Sequence, residues 1–347
     1  MRGVGIMCKF VVTPLSVALA ALLCLALLTA GCRQAKPLPQ DEIMTIRLGL
    51  PRQPSSGLVW IAMEKGFFKK QKLNVQIEEY PSGKRALREG LFAGKVDLAV
   101  TSEVPVATAI TDGEDCVILA GIFQDNKVNS IIANRRSGIR TPEDLQGKRI
   151  GIQENSVLEY YLHLFAMDRG MSSDQFEVEM MKIEELPRAL AEQRIDAAAL
   201  RPPFSTAALE LLGDEAVVFS DANVYTQLEL VVGNRKFVGM NPKAVRRFLA
   251  ALIEAEGYVY RNQEEARDYI ANTYQVDSGY ADSILGGGNM HVALGQAGIL
   301  YLENVSRWYL QNKKESTSKC PNYLDYIEAG YLNSVNPGRV TIVSGVD

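Results

Sequence analysis

Short apolar runs alternate with longer amphipathic segments along most of the chain. Residues 44–50, MTIRLGL, alternate apolar and polar positions as a half-buried strand does, and residues 56–71, SGLVWIAMEKGFFKKQ, place apolar residues at helical spacing. Further strands are predicted at 74–80, 96–102, 115–123 and 129–135, and further helices at 82–94 and 104–111. Strands and helices in alternation predict a mainly parallel sheet covered by helices.

The same order of elements begins again near residue 141. A helical turn and a strand are predicted within 141–152. Strands then follow at 176–181, 195–200, 216–220 and 228–234, and helices at 156–170, 183–193 and 203–212. The rest is mainly helical, with segments at 241–260, 264–274, 278–286 and 293–312. The repeat predicts two α/β lobes in one chain.

One motif occurs in both halves, as GKVDLAVTSEVP at 94–105 and QRIDAAALRPPF at 193–204. We interpret Asp97 and Asp196, which begin the two strands, as structural residues. The small apolar residues after them indicate central strands with helices on both faces. The polar endings TSE and RPPF differ. Because open α/β sheets bind ligands beyond the carboxyl ends of their strands, two facing lobes would bring both endings into one cleft.

The first 31 residues have the pattern of a signal peptide. Arg2 and Lys9 accompany an apolar run at 11–30, and LLTAGC then places small residues before Cys32. This pattern predicts cleavage before Cys32, a diacylglycerol on its thiol, and a polar tether over 32–44. The alternative is an uncleaved transmembrane anchor, since about 20 apolar residues span a bilayer. Both interpretations place the rest of the chain outside the cytoplasm, in the periplasm or at the cell surface.

Charge, cysteine and histidine content limit the function classes. The chain has 37 basic and 41 acidic residues, and this mixed, mildly acidic balance argues against a nucleic-acid partner. Cys116 and Cys320 either pair or remain thiols, and Cys116 lies in an apolar strand-like run. His163 and His291 have no Asp or Ser partner at a motif spacing, and no metal or cofactor motif is present. The sequence therefore predicts no catalytic residue, metal or cofactor.

Polar residues after the predicted strands of the first lobe are candidate ligand contacts. Ser55, Ser56 and Trp60 follow the first strand, where a helix N-terminus is a seat for an anion. The alternative is helix capping for the serines and core packing for Trp60. In the polar turn QDNKVN, the residues Gln124, Asp125, Asn126 and Asn129 either contact the ligand or form an ordinary turn.

Thr101, Ser102 and Glu103 end the first copy of the repeated motif. Their alternative role is to end the strand and cap the next helix. A carboxylate at Glu103 would suit a cationic or hydrogen-bond-donating group of the ligand.

Asn155, Ser156 and Tyr160 begin the first helix of the second lobe. Ser156 and Glu159 fit a capping box, which leaves the backbone donors of the helix available to a ligand. Tyr160, one turn further, either reaches the cleft or packs beneath it.

Arg201 and Phe204 end the second copy of the motif. Arg201 follows five apolar residues, which is an unusual place for a charge. Arginine recognises carboxylates and sulfonate-like groups through two parallel hydrogen bonds, so we predict a ligand contact. The alternative is an ion pair between lobes or at the surface.

Five segments carry a resemblance to a known family: IRLGLPRQPSSGLVWIAMEKGFFKKQKLNVQI (46–77), GLFAGKVDLAVTS (90–102), GIRTPEDLQGKRIGIQENSVLEYYL (138–162), RIDAAALRPPF (194–204) and NPKAVRRFLAALIEAEGYVYRNQEEA (241–266). In this order they resemble the periplasmic substrate-binding proteins of ABC importers, and more narrowly the nitrate/sulfonate/taurine and thiamine-pyrimidine group. The resemblance covers about residues 45–271. Family members often carry Trp or Glu near Arg201, so this chain departs from them there.

The resemblance implies a two-lobed periplasmic binding protein of type II, with two crossing strands. It implies lobes of 45–131 plus 233–347 and of 132–232. It also implies closure on one small solute by a monomer, which then docks to an ABC permease of the inner membrane.

Arg201 and the helix N-termini favour an anionic or zwitterionic solute such as a sulfonate, taurine or nitrate. The alternative solute is a pyrimidine or thiamine precursor stacked on Trp60, Tyr160 or Phe204. Some enzymes of pyrimidine or menaquinone biosynthesis resemble the same architecture, but they generally work in the cytoplasm and need a reactive group such as His. A lipoprotein that senses a solute for a membrane receptor is a further alternative.

Overall fold

The computed structural model describes residues 42–313 and 319–343, apart from the side chain of Ser173. The predicted signal peptide at 1–31, Cys32 and most of the predicted tether at 32–44 lie outside the described residues. Within the described ranges, no helix combines the length and the apolar character needed to cross a membrane.

The first sheet has five strands. Their bounds are β1 Met44–Pro51, β2 Leu73–Tyr80, β3 Leu98–Ser102, β4 Val117–Asp125 and β10 Gln227–Gly233. They lie in the order β2-β1-β3-β10-β4. β1 pairs in parallel with β2 and β3, whereas β10 runs antiparallel between β3 and β4.

The second sheet repeats this plan. Its strands are β5 Ser130–Asn134, β6 Arg149–Ile152, β7 Glu177–Met180, β8 Ala197–Leu200 and β9 Ala216–Phe219. Their order is β7-β6-β8-β5-β9, with β6 parallel to β7 and β8, and β5 antiparallel to β8 and β9. The strands of the repeated motif, β3 and β8, are therefore the central strand of each sheet, as the sequence predicts.

The chain crosses between the lobes twice. Residues 126–129 lead from β4 into β5, and residues 220–226 lead from β9 back into β10. The predicted two-lobed α/β fold with two crossing strands is thus confirmed. The predicted second lobe, 132–232, includes most of β10, but β10 pairs with β3 and β4 and so lies in the first sheet. The other lobe limits stay predictions.

Helices cover both sheets. In the first lobe they are α1 Gly57–Glu64, α2 Phe67–Lys70, α3 Gly83–Arg85, continued by a π-helical turn at Ala86–Leu91, and α4 Glu103–Thr111. In the second lobe they are α5 Val157–Asp168, α6 Leu186–Ala191 and α7 Phe204–Leu212. The C-terminal helices are α8 Arg235–Met240, α9 Pro242–Arg261, α10 Gln263–Tyr274, α11 Ser278–Leu285, α12 Gln296–Lys313 and α13 Ala329–Val335.

The helix predicted at 56–71 is two helices. Gly66, with φ of 71°, separates α1 from α2 in the left-handed conformation that glycine adopts at little cost. The other predicted helices begin and end within a few residues of the observed ones.

The two motif aspartates have the same structural role in each lobe. Asp97 accepts from the Arg47 backbone N–H at 2.9 Å and from Arg47 Nη2 at 2.6 Å. Asp196 accepts from the Arg149 backbone N–H at 3.0 Å and from Arg149 Nη2 at 2.9 Å. Each aspartate thus fastens the start of the central strand to the neighbouring parallel strand, β1 or β6.

Cys116 and Cys320 do not pair. Cys116 is buried beside β4 and Cys320 is half-buried, and both are free thiols. Burial raises the pKa of the Cys116 thiol to about 12, which makes it an unreactive core side chain.

Candidate functional site

A group of buried polar side chains lies between the two lobes. We call the following six residues the cleft cluster: Gln53, Ser55, Asn129, Arg201, Gln227 and Glu229. Each is at most 7% exposed. Gln53 and Ser55 follow β1, Asn129 lies in the first crossing segment, and Gln227 and Glu229 lie in β10. Arg201 comes directly after β8 of the second lobe. Both lobes therefore supply polar groups near strand ends, where open α/β sheets bind ligands.

Glu229 is the centre of the hydrogen bonds in the cleft cluster. Its Oε1 accepts from Gln227 Nε2 at 2.6 Å, from Gln53 Nε2 at 2.8 Å and from Ser55 Oγ at 3.3 Å. Asn129 Nδ2 in turn donates to Gln227 Oε1 at 3.1 Å. Burial raises the pKa of Glu229 to about 7. The carboxyl group is held through one oxygen, and Oε2 has no partner among the described residues.

Arg201 brings a positive charge into the cleft cluster from the second lobe. Burial lowers the pKa of its guanidinium, and the neighbouring groups Glu229, Tyr280 and Tyr225 act in the opposite direction. Its Nε has no hydrogen-bond partner among the described residues. A buried charge without complete hydrogen bonding is costly, so an anionic or accepting group placed against Arg201 would be strongly favoured.

Further buried polar atoms near the cleft cluster lack partners in the described structure: Ser56 Oγ, Thr101 Oγ1, Asp125 Oδ2 and Tyr280 Oη. Ser56 is the N-cap residue of α1, yet its hydroxyl caps no backbone N–H. Burial raises the pKa of the Tyr280 phenol, and the charges of Asp125 and Arg201 raise and lower it respectively, so Tyr280 lies near both. Buried polar groups are nearly always paired in folded proteins, so this concentration indicates a ligand site.

Polar contacts hold the two lobes together beside the cleft cluster. Three of them join the segments after β2 to the second lobe: Gln153 Nε2 to Ser82 Oγ at 3.2 Å, Lys84 Nζ to the Glu154 carbonyl at 2.5 Å, and Arg85 Nη1 to Glu184 Oε1 at 3.1 Å. The chain from Ile43 onward accordingly forms one compact unit. The lobes are in contact, which explains why the cleft cluster is buried.

Glu103 lies at the start of α4 and is fully buried. Its Oε1 accepts from Tyr225 Oη, and its Oε2 accepts from the Leu228 backbone N–H at 3.0 Å. Tyr225 and Leu228 belong to the segment that returns the chain to the first sheet. Burial raises the pKa of Glu103 to about 8. Glu103 therefore fastens the crossing segment, and with Tyr160 and Tyr225 it also lines a cavity of about 290 Å³.

The structure brings several sequence candidates to the cleft. Ser55, Asn129 and Arg201 are members of the cleft cluster. Ser56 is buried at the N-cap of α1, and Thr101 and Ser102 are buried at the end of β3. Their roles as ligand contacts stay predictions.

Other candidates lie further out. Trp60 and Phe204 are half-buried and pack against the hydrophobic core, and Asn155 is half-buried. Gln124, near the end of β4, and Asn126, just after it, are both exposed. Stacking on Trp60 or Phe204 has no support from these positions.

Ser156 is the N-cap residue of α5, as predicted, but the predicted capping box is wrong. Its Oγ accepts from the Leu158 backbone N–H at 3.2 Å. Glu159 Oε2 accepts from the Asn155 backbone N–H at 2.5 Å rather than from that of Ser156. Asn155, with φ of 48°, takes the left-handed conformation, which asparagine adopts more readily than most other residues.

Gln53, Gln227 and Glu229 were not among the candidates from the sequence. β10 has the sequence QLELVVG, so Gln227 and Glu229 fall on one face of an otherwise apolar strand. A charge within such a strand is a signal of a buried polar site. Its partners become clear only once β10 is placed next to β3.

A separate cavity of about 300 Å³ lies beside β4, β10 and α12, and Gln124 and His291 are among its lining residues. It contains no residue of the cleft cluster, and apolar side chains and glycines form most of its wall. We take the cleft cluster as the candidate site, because most of the buried polar atoms without a partner among the described residues lie in it or near it. In the described parts of the chain, no group of three or more His, Cys, Asp or Glu residues is placed to hold a metal ion.

Comparison with known proteins gives three relevant similarities. Residues 53–266 match the family described as NMT1/THI5 like. A candidate aliphatic sulfonates-binding protein of Bacillus subtilis (strain 168) is 26% identical over 273 residues, which cover 77% of this chain and 81% of the relative. The 4-amino-5-hydroxymethyl-2-methylpyrimidine phosphate synthase of Candida albicans (strain WO-1) is 29% identical over 230 residues, which cover 60% of this chain and 64% of the relative.

Among solved structures, the chain is similar to the alkanesulfonate-binding protein of Xanthomonas axonopodis pv. citri bound to MOPS. The TM-score is 0.68 at 18% sequence identity, over 83% of this chain and 99% of the other. At this identity the likeness establishes the shared fold of two sheets joined by two crossing strands.

Proposed function

This chain belongs to the NMT1/THI5-like family, and we propose that it is an extracytoplasmic solute-binding protein that delivers a small anionic or zwitterionic solute to an ABC importer. The observation that carries the proposal is the cleft cluster, in which both lobes bury polar groups that have unused hydrogen-bonding atoms. A solute that satisfies these atoms contacts both lobes at once. Such contacts favour the closed state of a hinged protein.

Arg201 is the residue that favours an anionic group. It is buried at the carboxyl end of the central strand of the second lobe, and no described residue pairs with its Nε. A sulfonate or carboxylate offers the planar or clustered oxygens that a guanidinium binds best. The sulfonate-binding relative in Bacillus subtilis supports the same chemistry.

We propose binding without turnover by a monomer. One chain forms both lobes that line the cleft, so the site needs no second copy of the protein. The Candida albicans relative is a synthase, which is the observation in favour of an enzyme. Against it, His291 is exposed and bonded to Glu256, and His163 stacks on Tyr160 within α5. Chemical change of a bound solute, measured by mass spectrometry, would contradict this part of the proposal.

We also propose that Cys32 carries the lipid that anchors the protein to a membrane. The support is the signal pattern before Cys32. A Cys32→Ser variant should lose lipid labelling and move to the soluble fraction. Continued membrane association of the unlabelled variant would indicate the uncleaved transmembrane anchor instead.

A thermal-shift screen tests the binding proposal. The chain from Lys36 onward is heated with sulfonates, nitrate, amino acids, pyrimidines and small dicarboxylates. A solute at 100-fold its Kd stabilises the fold by about 2.7 kcal/mol. If no small solute raises the Tm, the proposal fails.

Arg201→Met is the matched test of the site. It should weaken binding by about tenfold or more, because a charge-assisted hydrogen bond is lost. The ligand-free variant should melt lower than wild type, because the buried Glu229 loses the positive charge that favours its ionised form. Arg188→Met, which changes an exposed arginine of the same lobe, should leave binding unchanged. Unchanged binding by Arg201→Met would remove Arg201 from the site.

A further inference from the structure

The hydrogen bonds of the cleft cluster have a fixed direction. An ionised carboxylate only accepts, so Gln53 and Gln227 must turn their NH2 groups toward Glu229 Oε1, at 2.8 Å and 2.6 Å. Gln227 then presents its carbonyl to Asn129 Nδ2 at 3.1 Å. Each amide therefore directs an NH2 group into the cluster. The carbonyl oxygens of Gln53 and Asn129 are left without partners in the part of the chain that the structure describes.

The unused atoms around the cleft are mainly acceptors. Four of them only accept hydrogen bonds when the carboxyls are ionised: Gln53 Oε1, Asp125 Oδ2, Asn129 Oδ1 and Glu229 Oε2. The remaining ones are the donor Arg201 Nε and the hydroxyls of Ser56, Thr101 and Tyr280, which can donate or accept. A fitting solute must therefore bring several N–H or O–H donors as well as an acceptor.

Nitrate or a simple alkanesulfonate meets only part of this requirement. Its oxygens accept hydrogen bonds from Arg201 and from the hydroxyls. They would leave the unused oxygens of Gln53, Asn129 and Glu229 buried without a donor, which costs binding free energy. The carboxylate of Glu229 would also repel a second anionic group placed close to it.

The cleft holds one buried basic side chain and one buried acidic side chain. Arg201 comes from the second lobe and Glu229 from the first, and both are buried. Arg201 acts to keep Glu229 ionised, and a cationic group of the solute would do the same. A solute with both charges would therefore place its anionic group against Arg201 of the second lobe and its cationic group against Glu229 of the first.

We infer that the solute is a zwitterion, with a primary ammonium group held by Glu229, Gln53 and Asn129 and an anionic group held by Arg201. This inference rests on the proposed solute-binding function and narrows its substrate class. The ammonium group supplies three donors, and the unused oxygens of Glu229, Gln53 and Asn129, which one hydrogen-bond network joins, accept them. The anionic group completes the hydrogen bonds of Arg201.

The test compares pairs of solutes that differ in the amine alone. Isothermal titration of the mature chain uses 2-aminoethanesulfonate, 3-aminopropanesulfonate, β-alanine and 4-aminobutyrate against ethanesulfonate, propanesulfonate, propionate and butyrate, together with the strongest solute of the thermal-shift screen. The amine-bearing member should bind about tenfold or more tightly than its partner, as expected for a charge-assisted hydrogen bond.

Glu229→Gln tests the protein side of the same contact. It should remove most of the preference for the amine and leave the binding of amine-free anions equal or tighter. Glu179→Gln, which removes the same charge from the exposed strand β7, is the control and should keep the preference. Because Glu229→Gln can also affect folding, the comparison of solutes on the wild-type chain decides by itself.

The possible failures are distinguishable. Equal binding of amine-bearing and amine-free partners, or a strongest solute without N–H donors, overturns the zwitterion and leaves the binding function standing. An uncharged aminopyrimidine as the strongest solute also overturns the zwitterion. If no solute of the whole screen binds, the proposed function fails, and the inference fails with it.

Discussion

Two buried glutamates near the cleft differ in how their oxygens are used. Both oxygens of Glu103 accept hydrogen bonds, from Tyr225 Oη and from the Leu228 backbone N–H. Glu229 uses only Oε1, and its Oε2 remains available. A carboxyl group whose two oxygens both accept hydrogen bonds within the protein stabilises the fold, whereas one with an oxygen left over can bind a solute. The same residue type thus has different roles because its hydrogen bonds differ.

We predict that the ligand-free protein loses stability as the pH rises from about 5 to about 8. The ordinary pKa of a glutamate is 4.5, and burial raises the pKa of Glu103 to about 8. Between these values the folded state keeps a proton that the unfolded state has lost, so the free energy of unfolding falls with pH. The pKa of Glu229, raised by burial to about 7, acts in the same direction.

Glu103→Gln isolates the contribution of Glu103. The introduced amide does not titrate, its carbonyl can accept from the Leu228 N–H, and its NH2 can donate to Tyr225 Oη once that hydroxyl turns to accept. Urea unfolding at about pH 5, 6.5 and 8 should show a shallower decline for this variant than for wild type. The control Glu179→Gln should keep the wild-type decline. A wild-type stability that rises with pH over this range would contradict the prediction.

At the scale of elements, hydrophobic periodicity was enough to predict nearly every strand and helix. β3 and β8 were recognisable as central strands because their small apolar residues follow an aspartate in both lobes. The pairing of strands was not predictable in the same way, because β10 pairs with β3, which lies more than 100 residues earlier in the sequence. The cleft cluster depends on that pairing, so Ser55, Asn129 and Arg201 were found from the sequence whereas Gln53, Gln227 and Glu229 were not.

Gly83 allows α3 to approach β3 closely. A Cβ at this position would lie 2.8 Å from Thr101 Oγ1 and 2.9 Å from Thr101 Cα. Gly83→Ala should therefore lower the free energy of unfolding by about 1–3 kcal/mol, because backbone must move. Gly239→Ala in α8 is the control, since a Cβ there meets nothing within 4 Å. Urea unfolding measures both variants, and a Gly83→Ala protein as stable as wild type would contradict this packing.

At the scale of the whole molecule, the two lobes share one plan and carry opposite charges into one cleft. The repeated sheet order explains why one sequence motif occurs twice, and the different endings of the motif explain why the lobes contribute different groups. Polar contacts such as Gln153 to Ser82 close the edge of the cleft. A solute bound to Arg201 and Glu229 would join the lobes through their most buried charges.

Hydrogen exchange with and without the strongest solute of the screen tests the central claim most directly, because it locates the site on the whole chain. The claim predicts that added solute slows amide exchange at 53–57, 129–131, 201–205 and 225–229, which lie in different parts of the sequence and meet at the cleft. Unchanged exchange in these segments, with slowing confined to 286–298 at the separate cavity, would contradict it.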